Sequence, residues 1–264
     1  MTTYIKIFAG LCNRLFQYAY GKHLIAQGKK IRFIDADDGN TDILDVMNLG
    51  EDEKLFLTER KCGKIKIFLL KAFGKYLFHN YKIGFYQEIR FADCTDFKFR
   101  RQAEYEQSLL FKKISETESV SIHIRGGDYL DPEKAGSFMG ICTKDYYLKA
   151  VSKVLEAQKD AVFFIFTNDR KYAEEIFAEA GFNDGSKAGV FVFCSDETEG
   201  QFAGDDGFDL FLMSRCRHNI IANSTFSWWG AYLNKNGSVI CPEHWTNDGD
   251  TSRDRIMPDS WRRI

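Results

Sequence analysis

Three short segments combine residue types that could hold a phosphorylated ligand. In the first, Arg125 ends the run Ser121-Ile122-His123-Ile124, and Gly126 and Gly127 would let backbone approach an anion closely. An arginine in that position can fork onto two phosphate oxygens. In the second, Phe163-Phe164-Ile165-Phe166 gives way to Thr167, Asn168 and Asp169, a carboxamide and a carboxylate suited to reading hydrogen-bond donors on a base or a sugar. In the third, Asn219-Ile220-Ile221-Ala222 stops at Asn223-Ser224-Thr225 and resumes as Phe226-Ser227-Trp228-Trp229-Gly230. A helix opening there presents N–H groups without intrahelical partners and a partial positive charge, so Ser224, Thr225 and the amides after them form a candidate diphosphate cradle. Each residue also has a structural use. Arg125 could pair with Asp128, Asp169 could cap a helix, His123 could be a core residue on the same strand face as Arg125, and Trp228 and Trp229 are expected to pack their helix.

The elements that must position these residues follow from periodicity. A strand over 4–8, a turn at Ala9-Gly10-Leu11-Cys12-Asn13, a helix over 14–27 closed by Gly28 and a second strand over 31–34 make a β-loop-α-β opening. Short helices are expected from there to Asn80, and a linker or frayed helix end over 112–119. A second α/β series then has strands over 120–125, 162–167, 190–194, 219–222 and 238–241, with helices over 144–158, 170–180, 208–216 and 227–234 between them. The expected architecture is two α/β halves with a cleft between them. The domains are 1–115 and 116–264, and the tail from about 246 packs back on the first. In open parallel sheets ligands bind beyond the carboxyl ends of the strands, where all three segments fall.

Composition narrows the function classes. The 264 residues include 36 Lys and Arg against 38 Asp and Glu, a formal charge of −2 that argues against a nucleic-acid partner and for a small molecule. Seven cysteines without a C-x-x-C pair suit buried thiols in a reducing compartment, hence a cytoplasmic location. No signal-like start or bilayer-length apolar run is present. The segment 61–78, Lys-Cys-Gly-Lys-Ile-Lys-Ile-Phe-Leu-Leu-Lys-Ala-Phe-Gly-Lys-Tyr-Leu-Phe, is basic, aromatic and free of acids. It reads either as a core helix with solvated lysines or as a peripheral contact with the inner face of an anionic membrane.

Gly10 through Ala19, His123 through Tyr129, Thr167-Asn168-Asp169, and Asp209 through Asn234 together resemble bacterial α-1,2-fucosyltransferases of glycosyltransferase family 11. The matches run in family order, with little between Asn40 and Thr117. The resemblance implies a GT-B-like α/β fold of two Rossmann-like domains facing a central cleft, with an acceptor-side N-terminal domain and a C-terminal domain for the donor. It implies inverting, metal-independent transfer of L-fucose from GDP-β-L-fucose to the 2-hydroxyl of a terminal galactose, in surface polysaccharide or O-antigen synthesis. The partners would be GDP-fucose and a galactose-terminated oligosaccharide or lipid-linked glycan, with no cofactor. Arg125 would neutralise the departing phosphate. His123, Asp128, Asn168, Asp169, Asn223, Ser224, Thr225 and Phe226 would hold the donor, and Gly10, Asn13, Arg14 and Gln17 would face the acceptor. Two positions depart from the family pattern. The family usually writes His-x-Arg-Arg-Gly-Asp where this chain has Gly126, and Gly-Leu-Gly-Asn-Gln where it has Cys12 and Arg14. Arg14 could supply the missing charge from across the cleft.

The general base is open, with Asp35, Asp37 and Asp38 as candidates that could equally cap or solvate a loop. Two rival functions stay in view. Asp35-Ala36-Asp37 is formally a D-x-D that could bridge a divalent cation to a different sugar nucleotide. The chain could also bind a sugar nucleotide or glycan without turning it over.

Overall fold

A computed structural model describes residues 1–35, 41–127, 142–178, 190–235, 237–246 and 248–264. The chain divides into two compact units, Met1–Arg101 and Gln102–Ile264. The division falls before the expected one because the Leu109–Glu116 helix buries Leu110 and Ile114 in the second unit. Tyr105 joins it there, its ring against Phe202, Phe208 and Phe211 and its hydroxyl donating to Asp205 at 3.0 Å. The expected linker over 112–119 is thus helix followed directly by strand.

The first unit is a parallel sheet in the order β3-β2-β1-β4. Its strands are β1 (Thr2–Ile7), β2 (Lys30–Asp35), β3 (Phe56–Leu57) and β4 (Tyr81–Lys82). The Leu11–Ala26 helix makes the crossover from β1 to β2. β3 and β4, two residues each, were not expected, since so short a strand shows no period. A helix over Lys64–Leu77 buries Ile67 and Leu70 against Ile34.

The second unit is a six-stranded parallel sheet in the order β10-β9-β8-β5-β6-β7. It comprises β5 (Glu118–Ile124), β6 (Ala161–Thr167), β7 (Val190–Phe193), β8 (His218–Ile220), β9 (Ser238–Cys241) and β10 (Arg262–Arg263). Helices over Lys144–Ala157, Arg170–Ala178, Asp206–Arg215 and Thr225–Leu233 connect them. Strands covered on both faces become continuous apolar runs, which is how β6 reads; β5 instead alternates Ser119, Ser121 and His123 with Val120, Ile122 and Ile124, and all six are buried. From the centre, β5 leads outward through β6 to β7, and the chain then returns to place β8 on the other side of β5. The order therefore reverses between β5 and β8, and the two strands diverge in connection at their carboxyl ends.

The tail from residue 246, expected on the N-terminal domain, is tied into the second unit. Trp228 Nε1 donates to the Ile256 carbonyl at 2.8 Å, Asp254 accepts from the Trp245 amide at 2.7 Å, and β10 pairs with β9. All seven cysteines are free thiols, five of them buried. Among the described residues, no helix is long and apolar enough to cross a membrane.

Candidate functional site

The reversal of strand order creates a crevice that backbone connections do not fill, the place where open α/β sheets bind ligands. β5 and β8 pair through Ile122 and Ile220, and β5 and β6 through Ile124 and Thr167. Continuing those registers brings Arg125, Asn168 and Asn223 to one edge. The three segments singled out in the sequence are neighbours in the fold.

The β5 and β8 ends are fixed from below by consecutive tyrosines. Tyr147 donates to the His123 carbonyl at 3.2 Å, and Tyr146 donates to the Ile221 carbonyl at 2.6 Å and the Ile240 carbonyl at 3.3 Å. Sequence reasoning missed this pair. Its signal was two hydroxyl-bearing aromatics in succession in the first turn of an otherwise amphipathic helix. Burying them leaves their hydroxyls in need of acceptors, and carbonyls at the strand ends supply them.

His123 is 5% exposed, and its ring lies 5.7 Å from that of Phe226, joining the two sides of the crevice. Its Nδ1 is buried without a hydrogen-bond partner among the described residues. Burial first, and then the charge of Arg125, lowers its pKa to about 3, so the imidazole is neutral and offers a ligand a hydrogen bond rather than a charge. Arg125 itself is half-buried at the end of β5.

Gly126 and Gly127 are clamped by the β6 end. Asn168 accepts from the Gly126 amide at 3.0 Å and donates back to its carbonyl at 3.3 Å, while Asp169 accepts from the Gly127 amide at 3.1 Å. The other Asp169 oxygen accepts from the Tyr172 amide at 3.1 Å, capping the Arg170–Ala178 helix. The two side chains expected to read a base therefore also hold the loop that carries Arg125. The clamp accounts for Gly126: a Cβ there would lie 2.7 Å from the Asp169 Cβ and 3.1 Å from Tyr172 Cδ1. Gly127 has φ +62°, a conformation that disfavours a side chain.

Across the crevice, Ser224 is the N-cap of the Thr225–Leu233 helix, its Oγ accepting from the Phe226 amide at 3.3 Å. That leaves the hydroxyl proton of Ser224 able to donate. Thr225 and Phe226 are half-buried at the helix start. Asn223 is 4% exposed and turned inward, donating to the Trp245 carbonyl at 3.5 Å and accepting from the Cys142 thiol at 3.8 Å. These bonds position the turn that leads into the Thr225–Leu233 helix. Trp228 and Trp229 are fully buried, as expected of packing residues.

The first unit has a similar reversal beside β1, since β2 and β4 flank it on opposite sides. The loop there corrects two expected acceptor contacts. Arg14 is 1% exposed, its Nε donating to the Ala9 carbonyl at 2.7 Å and its Nη1 to Asp35 at 2.7 Å. A buried guanidinium needs such partners, and this one holds Ala9 at φ +65°; it is not a charge presented to a ligand. Gln17 is fully buried and accepts from the Phe8 amide at 2.9 Å, with its Nε2 lacking a partner among the described residues. Gly10 and Asn13 are half-buried, and Asn13 accepts from Gln87 at 2.8 Å. Asp35 is 5% exposed, and one of its oxygens accepts from Arg14 Nη1 at 2.7 Å. Its pKa rises to about 6, because burial and the neighbouring Asp42 charge outweigh Arg14. Asp37, Asp38 and Asp128 lie outside the described residues. Among the described residues no group of three or more His, Cys, Asp or Glu could hold a metal ion.

Two Rossmann-like α/β units, with an anion-type site at the strand reversal of the second, define a GT-B-class fold. The chain belongs to glycosyl transferase family 11, whose model matches residues 68–264, three quarters of its length. It is 36% identical over 156 residues to the O-antigen biosynthesis glycosyltransferase WbnK of Escherichia coli, covering 58% of this chain and 47% of that one. It is 36% identical over 155 residues to an Escherichia coli alpha-1,2-colitosyltransferase, covering 56% and 48%. A Rattus norvegicus galactoside alpha-(1,2)-fucosyltransferase 1 is 30% identical over 116 residues, covering 43% and 27%. The chain thus spans about half the length of the first two and less of the third. In fold it is similar to Arabidopsis thaliana FUT1 in complex with GDP, with a TM-score of 0.54 and 13% identity, covering 98% of this chain and 72% of that one.

Proposed function

We propose that the chain transfers L-fucose from GDP-β-L-fucose to the 2-hydroxyl of a terminal galactose, with inversion and without a metal, in the synthesis of a surface glycan. The observation that carries this is the crevice between β5 and β8, where the register sets Arg125 beside the turn that opens the helix at Ser224-Thr225-Phe226 and the His123 and Phe226 rings meet. In the reaction the galactose 2-oxygen attacks the fucose anomeric carbon on the face opposite the diphosphate. The bond from that carbon to the β-phosphate oxygen breaks, GDP departs with the electron pair, and the hydroxyl proton passes to a base. Negative charge grows on the leaving phosphate, so fixed positive charge there lowers the barrier most. Arg125 and the Thr225–Leu233 helix start would supply it. His123 adds a neutral hydrogen bond, and Asn168 and Asp169 hold the Arg125 loop while their outer faces remain available to the nucleoside. Identity to an alpha-1,2-colitosyltransferase favours a second donor, since colitose is fucose lacking the 3-hydroxyl.

Incubation with GDP-fucose or GDP-colitose and a panel of galactosides, with and without EDTA, tests the proposal. An α-1,2-fucosylated galactoside formed in EDTA is expected. Preferred use of GDP-colitose would reassign the donor. Product dependent on added Mn²⁺ would overturn the metal-free mechanism, and GDP-fucose binding without any product would make the chain a binding protein.

A further inference from the structure

The Lys64–Leu77 helix is apolar on two opposite faces. At 100° per residue, Ile67, Leu70 and Gly74 fall on one side, and these are its buried positions. On the opposite side Ile65 is 79% exposed, Phe68 64%, Leu69 44%, Phe73 49% and Tyr76 76%. The core accounts for the first face, and no described residue covers the second. Five large apolar side chains on one helix face form the kind of contiguous patch that marks an interaction site.

The charges beside the patch indicate its occupant. The helix has lysines at 64, 66, 71 and 75 and no acidic residue. Lys66 and Lys75 are exposed and lie on its two borders, one on each side of the apolar arc, where long stems can lie along apolar surface and raise their ammonium groups to phosphates. Lys75 is already folded over the Tyr76 ring, 4.8 Å from its centroid. At about 1.5 Å per residue the helix is roughly 21 Å long, short of the ~30 Å needed to cross a bilayer core, so it would lie in the surface. We propose that this face docks the protein on an anionic phospholipid surface, with the aromatic and aliphatic arc in the headgroup boundary and the bordering lysines on lipid phosphates. This docking is independent of the donor and acceptor assigned above.

Co-sedimentation of the full chain with vesicles of phosphatidylcholine alone, or of equal parts phosphatidylcholine and phosphatidylglycerol, tests it. Binding to the anionic vesicles is expected, weakening with salt. The Lys66→Gln and Lys75→Gln changes should each reduce it about fivefold, as about 1 kcal/mol per lysine implies. The Phe68→Ser/Phe73→Ser/Tyr76→Ser variant should abolish binding while keeping the wild-type melting temperature and GDP affinity, because these side chains are already in solvent. Binding equal on both vesicle types, or undiminished in the triple variant, would overturn the proposal. So would absence of vesicle binding together with a dimer in sedimentation velocity that the triple variant dissociates, which would assign the face to a second copy of the chain.

Discussion

Replacing Gly126 with alanine should destabilise the protein through one identifiable collision. The added methyl would lie 2.7 Å from the Asp169 Cβ, a distance real side chains do not tolerate, and 3.1 Å from both Asp169 Oδ2 and Tyr172 Cδ1. A flexible tip could swing away, but a Cβ is fixed to its backbone, so either the Arg125 loop or the cap of the Arg170–Ala178 helix must shift. Overpacking of this kind costs about 1–3 kcal/mol. For domains of this size that corresponds to roughly 2–4 °C per kcal/mol, or a loss of ~2–12 °C in melting temperature. The collision is with Cβ, so Asp169→Ala should not relieve it, whereas Asp169→Gly should. The assay is a double-mutant cycle by thermal and urea denaturation of the full chain, measuring the cost of Gly126→Ala in wild-type, Asp169→Ala and Asp169→Gly backgrounds. We expect the cost to persist in the alanine background and to fall by at least half in the glycine background. A cost below ~0.5 kcal/mol in the wild-type background, the range of an ordinary surface change, would refute the steric explanation of Gly126. An equal cost in all three backgrounds would refute it as well.

Removing one partner of the buried Arg14–Asp35 pair should cost about 3–5 kcal/mol, measured by urea denaturation of Arg14→Ala and Asp35→Ala, while an Arg14→Met/Asp35→Leu double change should recover most of the loss. Because His123 has its pKa lowered to about 3 in the folded state, its contribution to stability is complete above about 6.5 and is lost as pH falls from there towards 3. His123→Gln should therefore flatten the stability profile over that window by up to ~1.4 kcal/mol per pH unit, as read from melts across pH. Arg125→Ala should lower kcat for transfer by about 10²–10³-fold, and Arg125→Lys should restore only part of it, because a point charge cannot fork onto two oxygens.

The second unit is legible in the sequence because its signals are strong where physics makes them so. Strands covered on both faces become apolar runs, and their polar ends mark the carboxyl edge of the sheet. That is why His123, Arg125, Asn168, Asp169 and the Asn223–Phe226 turn group together on residue pattern alone. Their individual duties are less legible. Asn223 points inward, and Asn168 and Asp169 bond to the Gly126–Gly127 backbone, because neighbouring strand ends are set by sheet order, which a linear pattern does not contain. The first loop misleads for a similar reason. Arg14 looks like a free cation until the fold brings Asp35 beneath it. The Lys64–Leu77 helix is ambiguous because a doubly apolar helix has the composition of a buried one, and only side-chain exposure separates the two.

Labelling the histidine rings and titrating the full chain with GDP, followed by NMR, most directly tests whether a nucleoside diphosphate sits between the ends of β5 and β8. His123 lies at that crevice, whereas His218 lies at the opposite edge of the same sheet, bonded to Ser238 at 2.7 Å and Glu118 at 3.0 Å. The ring signals of His123 should move saturably with GDP while those of His218 stay in place, and Arg125→Ala should raise the required GDP concentration at least about tenfold. GDP binding seen by calorimetry with His123 unmoved, or no GDP binding at all, would contradict the assignment of the crevice.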